Sequence, residues 1–420
     1  MPDWSVALFR KYLEKRLYRK MLKKHKTIKP YEPGRYETGI NLIGNIRSET
    51  GLGESMRILA RVLKENKIPF VILNVDSWAN EDNNIHDWDD YVVDEPKYAI
   101  NVIHINAGEW CRYYSDFEND LLDYRYNVAY WLWELETFPK VWRPCIETVD
   151  AVWAPSQFIC DCIKNYTKKP VVHVPYAMWL KEPVAFGRDH FHLPNDVFLY
   201  LLMYDFRSVS ERKNPKASIT AFKQAFSVEE ANANKVGLII KVNNAATESE
   251  VGNLKKQLEG YEYIYFITEN LSRDEVESLE AAADVLISLH RAEGFGLPMA
   301  EAMYLGTPTV VTNWSANSEF IDDESACLVD GEFITLKTQI GPYEKGNRWM
   351  DANVELAMIY VRRLYDEKEY YKKICVNGAK KVREVLSYER AGNIIREEME
   401  KTSSFSIVKT EQNDNTIEYK

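Results

Sequence analysis

The stretch Asp284–Phe320, DVLISLHRAEGFGLPMAEAMYLGTPTVVTNWSANSEF, restricts the fold more than any other part of the chain. Residues 284–289 form a short apolar run of strand length, 298–305 have helical composition, and 308–312 are again apolar and β-branched. Proline suits the first helical position, where its missing N–H would be unpaired anyway, and Gly306 followed by Pro308 stops the helix. The order strand, helix, strand puts Gly294-Phe295-Gly296 between the carboxyl end of a strand and the amino terminus of a helix. Open α/β sheets bind ligands beyond the carboxyl ends of their strands, and the outward-pointing helix N–H groups favour an anion such as phosphate. Glu293 precedes the glycines and Glu301 lies about one turn into the helix. A carboxylate accepts well from the vicinal hydroxyls of a sugar, so the pattern suggests a ligand with both phosphate and sugar.

Glu293 and Glu301, with GFGLP between them and GTPTVVT after, resemble the signature of glycosyltransferase family 4, the retaining nucleotide-sugar transferases of GT-B fold. The resemblance covers about residues 39–400 and is strongest over 290–312 and 205–215. It implies an α/β protein of two doubly wound, Rossmann-like domains facing across a cleft, the first taking an acceptor and the second the donor.

At 420 residues the chain suits two domains rather than one core, and 45% hydrophobic with 28% charged residues suits a globular, soluble protein. No apolar run reaches the roughly 18 residues needed to span a bilayer, and basic residues interrupt the amino terminus where a signal peptide would be apolar. The six cysteines are scattered, with no zinc or disulfide framework, which points to reducing cytoplasm. The net charge of −11 argues against nucleic acid as a partner. That charge is uneven: Met1–Pro30 has ten Lys or Arg against Asp3 and Glu14, an excess of +8, leaving −19 for the remainder. Residues 1–35 read as a basic helical segment whose stripe is Val6, Phe9, Leu13, Leu17 and Met21. Such a helix can rest on an anionic membrane, here the inner face of the plasma membrane, or pack on the protein's own acidic surface.

The first domain is expected over 36–185. A strand at 39–46, a turn with Gly51 and Gly53, and a helix at 56–65 open it, followed by strands at 70–75, 99–105, 128–132, 151–154 and 171–174. By resemblance the glycine turn approaches the donor phosphates. His104 ends a strand where the family often shows a His-x-His arrangement that helps hold the transferred sugar, with Asn106 at the second position. YWLWELETFPKVW, residues 130–142, resembles a subgroup of bacterial polysaccharide transferases, which makes Trp133 and Glu134 acceptor-side candidates. Trp131 and Trp133 also alternate as core strand residues do.

The second domain is expected over 190–385, beginning with a near-continuous apolar strand at 197–204 of the buried parallel kind. Arg207, Arg212 and Lys213 crowd the next loop; by resemblance Arg207 and Lys213 neutralise the donor diphosphate, a bidentate guanidinium and a compact ammonium. Residues 268–271 fall where the family holds the nucleobase edge, and His290, Gly294, Phe295, Gly296 and Leu297 join the donor contacts. Beyond Asp330 a loop leads into helices at 354–365 and 368–385; a last helix at 386–401 is expected to return to the first domain, with 402–420 disordered.

The function implied is a retaining transfer of a hexose from a nucleoside diphosphate sugar to a glycan or lipid-linked acceptor in polysaccharide biosynthesis. Glu293, His104, Arg207 and Lys213 are the catalytic candidates, Glu301 takes the ribose hydroxyls, and no metal or other cofactor is expected. The R-K-N-P and W-E-L features point to a GDP-hexose such as GDP-mannose, with a UDP-hexose as the other donor considered. The alternatives are a phosphorylase of the same fold, which would be far longer, and a non-catalytic nucleotide-sugar-binding subunit of a glycan assembly complex.

Overall fold

The computed structural model describes residues 16–75, 84–243 and 248–414; the side chains of 207, 248–250 and 404–414 lie outside that description. The chain forms two compact units, Met1–Ala177 with Tyr388–Lys420, and Met178–Ser387. The boundary falls at 177/178 rather than 185/190: Tyr176 bonds back to Ser55 in the first unit, while Met178 N donates to Leu386 O in the second.

In the first unit β1 (Glu37–Gly44), β2 (Phe70–Asn74), β3 (Tyr98–His104), β4 (Tyr126–Tyr130), β5 (Ala151–Ala154) and β6 (Val171–His173) form one parallel sheet, in the order β2-β1-β3-β4-β5-β6. The direction of strand addition reverses between β1 and β3, which is where doubly wound sheets receive ligands. Asn41, Asn101 and Asn127 stand in register on β1, β3 and β4, and their buried amides bond one to the next at 2.8 Å. Asn41 also receives the N–H groups of Lys97 and Tyr98, so this polar line is satisfied inside the sheet.

Of the basic amino-terminal segment, residues 16–25 are helical; call this α1. Met21 is wholly buried, His25 Nδ1 meets Tyr114 Oη at 2.9 Å, and Lys20 pairs with Asp116. This part packs on α3 (Ala107–Asp116) of its own unit; residues 1–15, with most of the expected apolar stripe, lie outside the described residues.

The closing helix, Tyr388–Asp414, belongs to the first unit and packs on α2 (Gly51–Glu65). Asn66 donates to the Tyr388 carbonyl at 2.8 Å and Arg396 to the Asn66 carbonyl at 2.6 Å. Gly392 admits this approach, since a Cβ there would lie 2.0 Å from Asn66 Cγ. The helix continues to Asp414 where the sequence suggested a disordered tail from 402; Thr402 and Ser403 bond back to carbonyls four residues earlier instead of breaking it.

In the second unit β7 (Phe198–Asp205), β8 (Val236–Asn243), β9 (Ile264–Ile267), β10 (Val285–Ser288), β11 (Thr309–Thr312) and β12 (Cys327–Val329) form a parallel sheet ordered β12-β11-β10-β7-β8-β9. Its reversal lies between β7 and β10. Tyr200, Leu202 and Ile240 from the sheet bury against Phe222, Phe226 and Val361 of the covering helices. Residues 331–352, expected as a loop, form an antiparallel hairpin, β13 (Gly331–Thr335) with β14 (Arg348–Ala352). Its strands carry too few alternating apolar residues to stand out, and Phe333 packs edge-on to Trp314 instead of entering the core.

Candidate active site

Two loops leave the second sheet on either side of its reversal point, residues 206–214 after β7 and 289–296 after β10. They are bonded to each other: Arg291 N donates to Arg212 O at 2.7 Å, Asn214 Nδ2 to Leu289 O at 3.1 Å, and Arg212 Nη1 to Ala292 O at 2.7 Å. Val209 takes φ +60°, a conformation a β-branched residue adopts only when its surroundings impose it. The basic loop is therefore held by tertiary contacts as well as by local preference.

These contacts converge on Glu293. Lys213 Nζ lies 2.5 Å from its Oε1 and Arg212 Nη1 3.3 Å from its Oε2, while its own N–H donates to Ser315 Oγ at 2.8 Å. Burial opposes the charge, but Lys213, then Arg212 and His290, hold the Glu293 carboxyl down at about 2. Glu293 is thus an acceptor for hydroxyls at neutral pH and not a proton donor. Lys213, expected to face a diphosphate, and its neighbour Arg212 turn to this carboxylate. Lys213 remains the more accessible, its side chain 18% exposed against 5% for Arg212. The Arg207 side chain lies outside the described residues.

His290, expected among the donor contacts, is fully buried. Asn317 Nδ2 donates to Thr312 O at 2.9 Å, which leaves Asn317 Oδ1 to accept from His290 Nε2 at 3.0 Å. Burial lowers its basicity, and the neutral ring anchors the loop through Asn317 and Ser288. Arg291 reaches Asp351 Oδ1 at 2.8 Å and its carbonyl receives the Met350 N–H, so the hairpin braces the loop that carries Glu293.

Gly296 caps helix Leu297–Tyr304 at φ +98°, where a Cβ would meet Met299 Cε at 2.7 Å. Phe295 is buried on Phe320, ring centroids 5.1 Å apart, so the Gly-Phe-Gly loop is anchored by its middle residue. Glu301, one turn on, is buried and held by two nitrogens of Arg273. Thr268, Glu269 and Asn270, in the expected nucleobase segment, are exposed. Beneath them the buried Lys241 donates to Glu269 O at 2.8 Å and to Asn243, and burial lowers its ammonium to about 8.

In the first unit the glycine turn is also rigid. Arg57 donates to the carbonyls of Ile46 and Ser48 while gripping Glu54, and Thr50 Oγ1 caps α2 by accepting from Gly53 N. Gly53 is required by contact, since a Cβ would lie 2.2 Å from Ser48 O, whereas Gly51 faces open space. His104 Nε2 lies 2.6 Å from Ser55 Oγ, which receives the Tyr176 hydroxyl, and its ring stacks on Tyr130. The structure places His104 inside this buried chain; burial drops it to about 4, a neutral imidazole. Asn106 Oδ1 accepts from Leu132 N at 2.9 Å. Trp133, expected to stack on acceptor sugars, is instead 2% exposed, its Nε1 donating to Thr137 O and its ring edge-on to Trp142. β4 ends at Tyr130, so the chain folds Trp133 inward; Glu134 beside it is half-buried.

Sequence reasoning passed over Ser315, Asn317, Arg273 and the hairpin. Ser315 sits at φ +73° and Asn317 is a buried amide, features invisible without coordinates. Arg273 is the first helical residue inside the capping box Ser272–Glu275, a helix-start signal that marks its place but not its partner.

Residues 202–339 match the family model of glycosyl transferases group 1. That segment contains both loops and both glutamates. No curated protein matches the chain in sequence. Among solved structures, sucrose-phosphate synthase from Thermosynechococcus elongatus is similar at TM-score 0.63 and 14% identity, over 88% of this chain and 100% of that one. A glycosyltransferase from Rickettsia africae ESF-5 reaches 0.62 at 11% identity, over 87% and 99%. HepE from Anabaena, crystallised with UDP and glucose, reaches 0.59 at 12% identity, over 87% and 100%. These likenesses establish the fold, two Rossmann-like units as in GT-B glycosyltransferase structures. No described helix is long and apolar enough to cross a membrane, and no described group of three His, Cys, Asp or Glu side chains has the geometry to hold a metal ion.

Proposed function

We propose that this chain is a retaining glycosyltransferase that moves a hexose from a nucleoside diphosphate sugar to a glycan or lipid-linked acceptor in polysaccharide biosynthesis. The observation that carries this reading is the ionised Glu293 clamped between Lys213 and Arg212, beside a glycine-capped helix amino terminus, in the segment that matches glycosyl transferases group 1.

In this reading Glu293 accepts from hydroxyls of the transferred sugar. The helix at Leu297 offers N–H groups to the diphosphate. Lys213 is shared between Glu293 and the leaving phosphate, so negative charge developing on that phosphate meets a preplaced cation and no metal is needed. Attack comes from the face the phosphate leaves, and the departing oxygen takes the acceptor's proton. Glu301 receives the ribose hydroxyls. UDP-glucose and GDP-mannose are the donors to try first, the former because HepE is crystallised with UDP and glucose, the latter for the R-K-N-P run. The basic amino-terminal segment, residues 1–30, would rest on an anionic membrane surface.

The test is a thermal-shift screen of UDP and GDP sugars, since only a bound ligand raises the melting temperature, followed by NMR of the product's anomeric centre. One donor should stabilise the protein and release its diphosphate with retained configuration. Inversion overturns the mechanism; stabilisation without turnover on any acceptor makes the protein a nucleotide-sugar binder.

A further inference from the structure

Helix Arg273–Ala282 packs against helix Leu297–Tyr304, and two of its charged side chains interact with Glu301. Arg273 takes one, with Nη1 3.2 Å from Oε2 and Nη2 on Oε1, and its Nε reaches Glu277 Oε1 at 3.0 Å. Glu280 is the other. It is wholly buried, and neither carboxyl oxygen meets a hydrogen-bond donor among the described residues. The charged groups facing it are Glu301, Arg273 and Glu277.

Three ionised carboxylates around one guanidinium would leave two uncompensated negative charges in a site with little water. Neighbouring carboxylates in such a place share a proton instead. The guanidinium favours the charged form of Glu301, so the proton belongs to the carboxyl with no donor of its own. Burial first, and then the Glu301 charge, push Glu280 well above the usual carboxyl range, with Arg273 opposing.

We propose that Glu280 is a positioning residue for Glu301: it carries a proton, donates it to the Glu301 carboxylate, and so fixes the orientation in which Glu301 accepts a ribose diol. Arg273 is the more exposed partner, 29% against 2% for the Glu301 side chain. An entering diol replaces contacts to Arg273, whereas Glu280 holds Glu301 from the interior and keeps its lone pairs aimed throughout. The proposal rests on the reading that Glu301 binds the ribose.

The probes are UDP and GDP, each with its 2′-deoxy counterpart, titrated calorimetrically into the full-length protein. Glu280→Gln keeps a neutral donor at this position and should keep the wild-type preference for ribose over deoxyribose. Glu280→Leu removes the donor and should reduce that preference by about tenfold, the worth of one hydrogen bond to a charged group. If Glu280→Leu discriminates as wild type does while Glu301→Ala does not, the positioning role is wrong. If Glu301→Ala also discriminates as wild type does, the ribose reading of Glu301 is what fails. Infrared difference spectra of wild type against Glu280→Gln decide the matter even if the leucine variant does not fold. A protonated-carboxyl band should vanish in the glutamine variant, and its absence from wild type overturns the proposal.

Discussion

Lys213 Nζ and Glu293 Oε1 lie 2.5 Å apart at the reversal point of the second sheet, with Glu293 buried and Lys213 partly open to solvent. The pair joins the two loops that leave the sheet there, so each partner keeps the other's loop in place. Glu293→Gln should lower turnover more than donor affinity, because a contact to the sugar strengthens as the anomeric carbon gains positive charge. The same variant should barely change the affinity for sugar-free nucleoside diphosphate. Kinetics and calorimetry together check this; equal losses for sugar-free and intact donor would remove Glu293 from the sugar.

The pair also contributes to stability. Breaking a buried ion pair from one side costs about 3–5 kcal/mol, so Lys213→Ala should destabilise strongly in wild type and much less in a Glu293→Gln background. Because the Glu293 carboxyl is depressed to about 2 from 4.5, its contribution is complete above pH 4.5 and fades as pH falls toward 2. Urea melts of the four-member cycle at pH 7 and pH 3 measure both effects, and additivity at pH 7 contradicts the coupling.

Glu301→Ala should raise the donor's Michaelis constant by roughly tenfold to a hundredfold, the value of a hydrogen bond or two to a charged group, while leaving turnover near wild type. Unlike Glu293→Gln, it should weaken free nucleoside diphosphate as well. A fall in turnover with an unchanged Michaelis constant would move Glu301 away from the ribose.

Transfer should persist in EDTA, since Lys213 and the Leu297 helix terminus are assigned the leaving group's charge. Loss of activity on chelation, restored by magnesium or manganese, would contradict that assignment.

Both Rossmann-like sheets were legible because buried parallel strands read as continuous apolar runs, as at Phe198–Asp205, and Glu293, Lys213 and Gly296 stood out by spacing. The roles of His104, His290 and Trp133 were not legible. Strand-end position does not reveal whether a ring faces outward, and all three are turned in by partners distant in sequence: Ser55 for His104, Asn317 for His290, Trp142 for Trp133. Glu280 carried no signal at all, because its meaning depends on Glu301 in the next helix but one strand away.

His104 should shape the acid limb of stability. Its folded value, about 4 against 6.5, means the unfolded chain binds the proton first, so stability is full above pH 6.5 and declines as pH drops toward 4. The shift is worth at most about 3 kcal/mol. His104→Asn should flatten this limb, leaving the slope from His173 and His290, which burial lowers too. An unchanged slope in thermal melts between pH 7 and pH 4 would place the titration elsewhere.

Full-length protein should sediment with anionic vesicles more than a version starting at Tyr36, with the difference shrinking at high salt as attraction is screened beyond about 10 Å at 0.1 M. Equal sedimentation ends the membrane reading.

The return of Tyr388–Asp414 to the first unit sets an order of events during synthesis. Gly392 and Arg396 close on Asn66, at the end of α2, from more than three hundred residues downstream. The second unit, unbroken from Met178 to Ser387, has its whole sequence out of the ribosome while the first still lacks its final helix. Until the last turns emerge, the nascent chain exposes the α2 flank that this helix will cover. A ribosome paused with the second unit fully emerged and the residues from Tyr388 onward still inside its tunnel should therefore present a protease-resistant second unit and a first unit that is still open to cleavage.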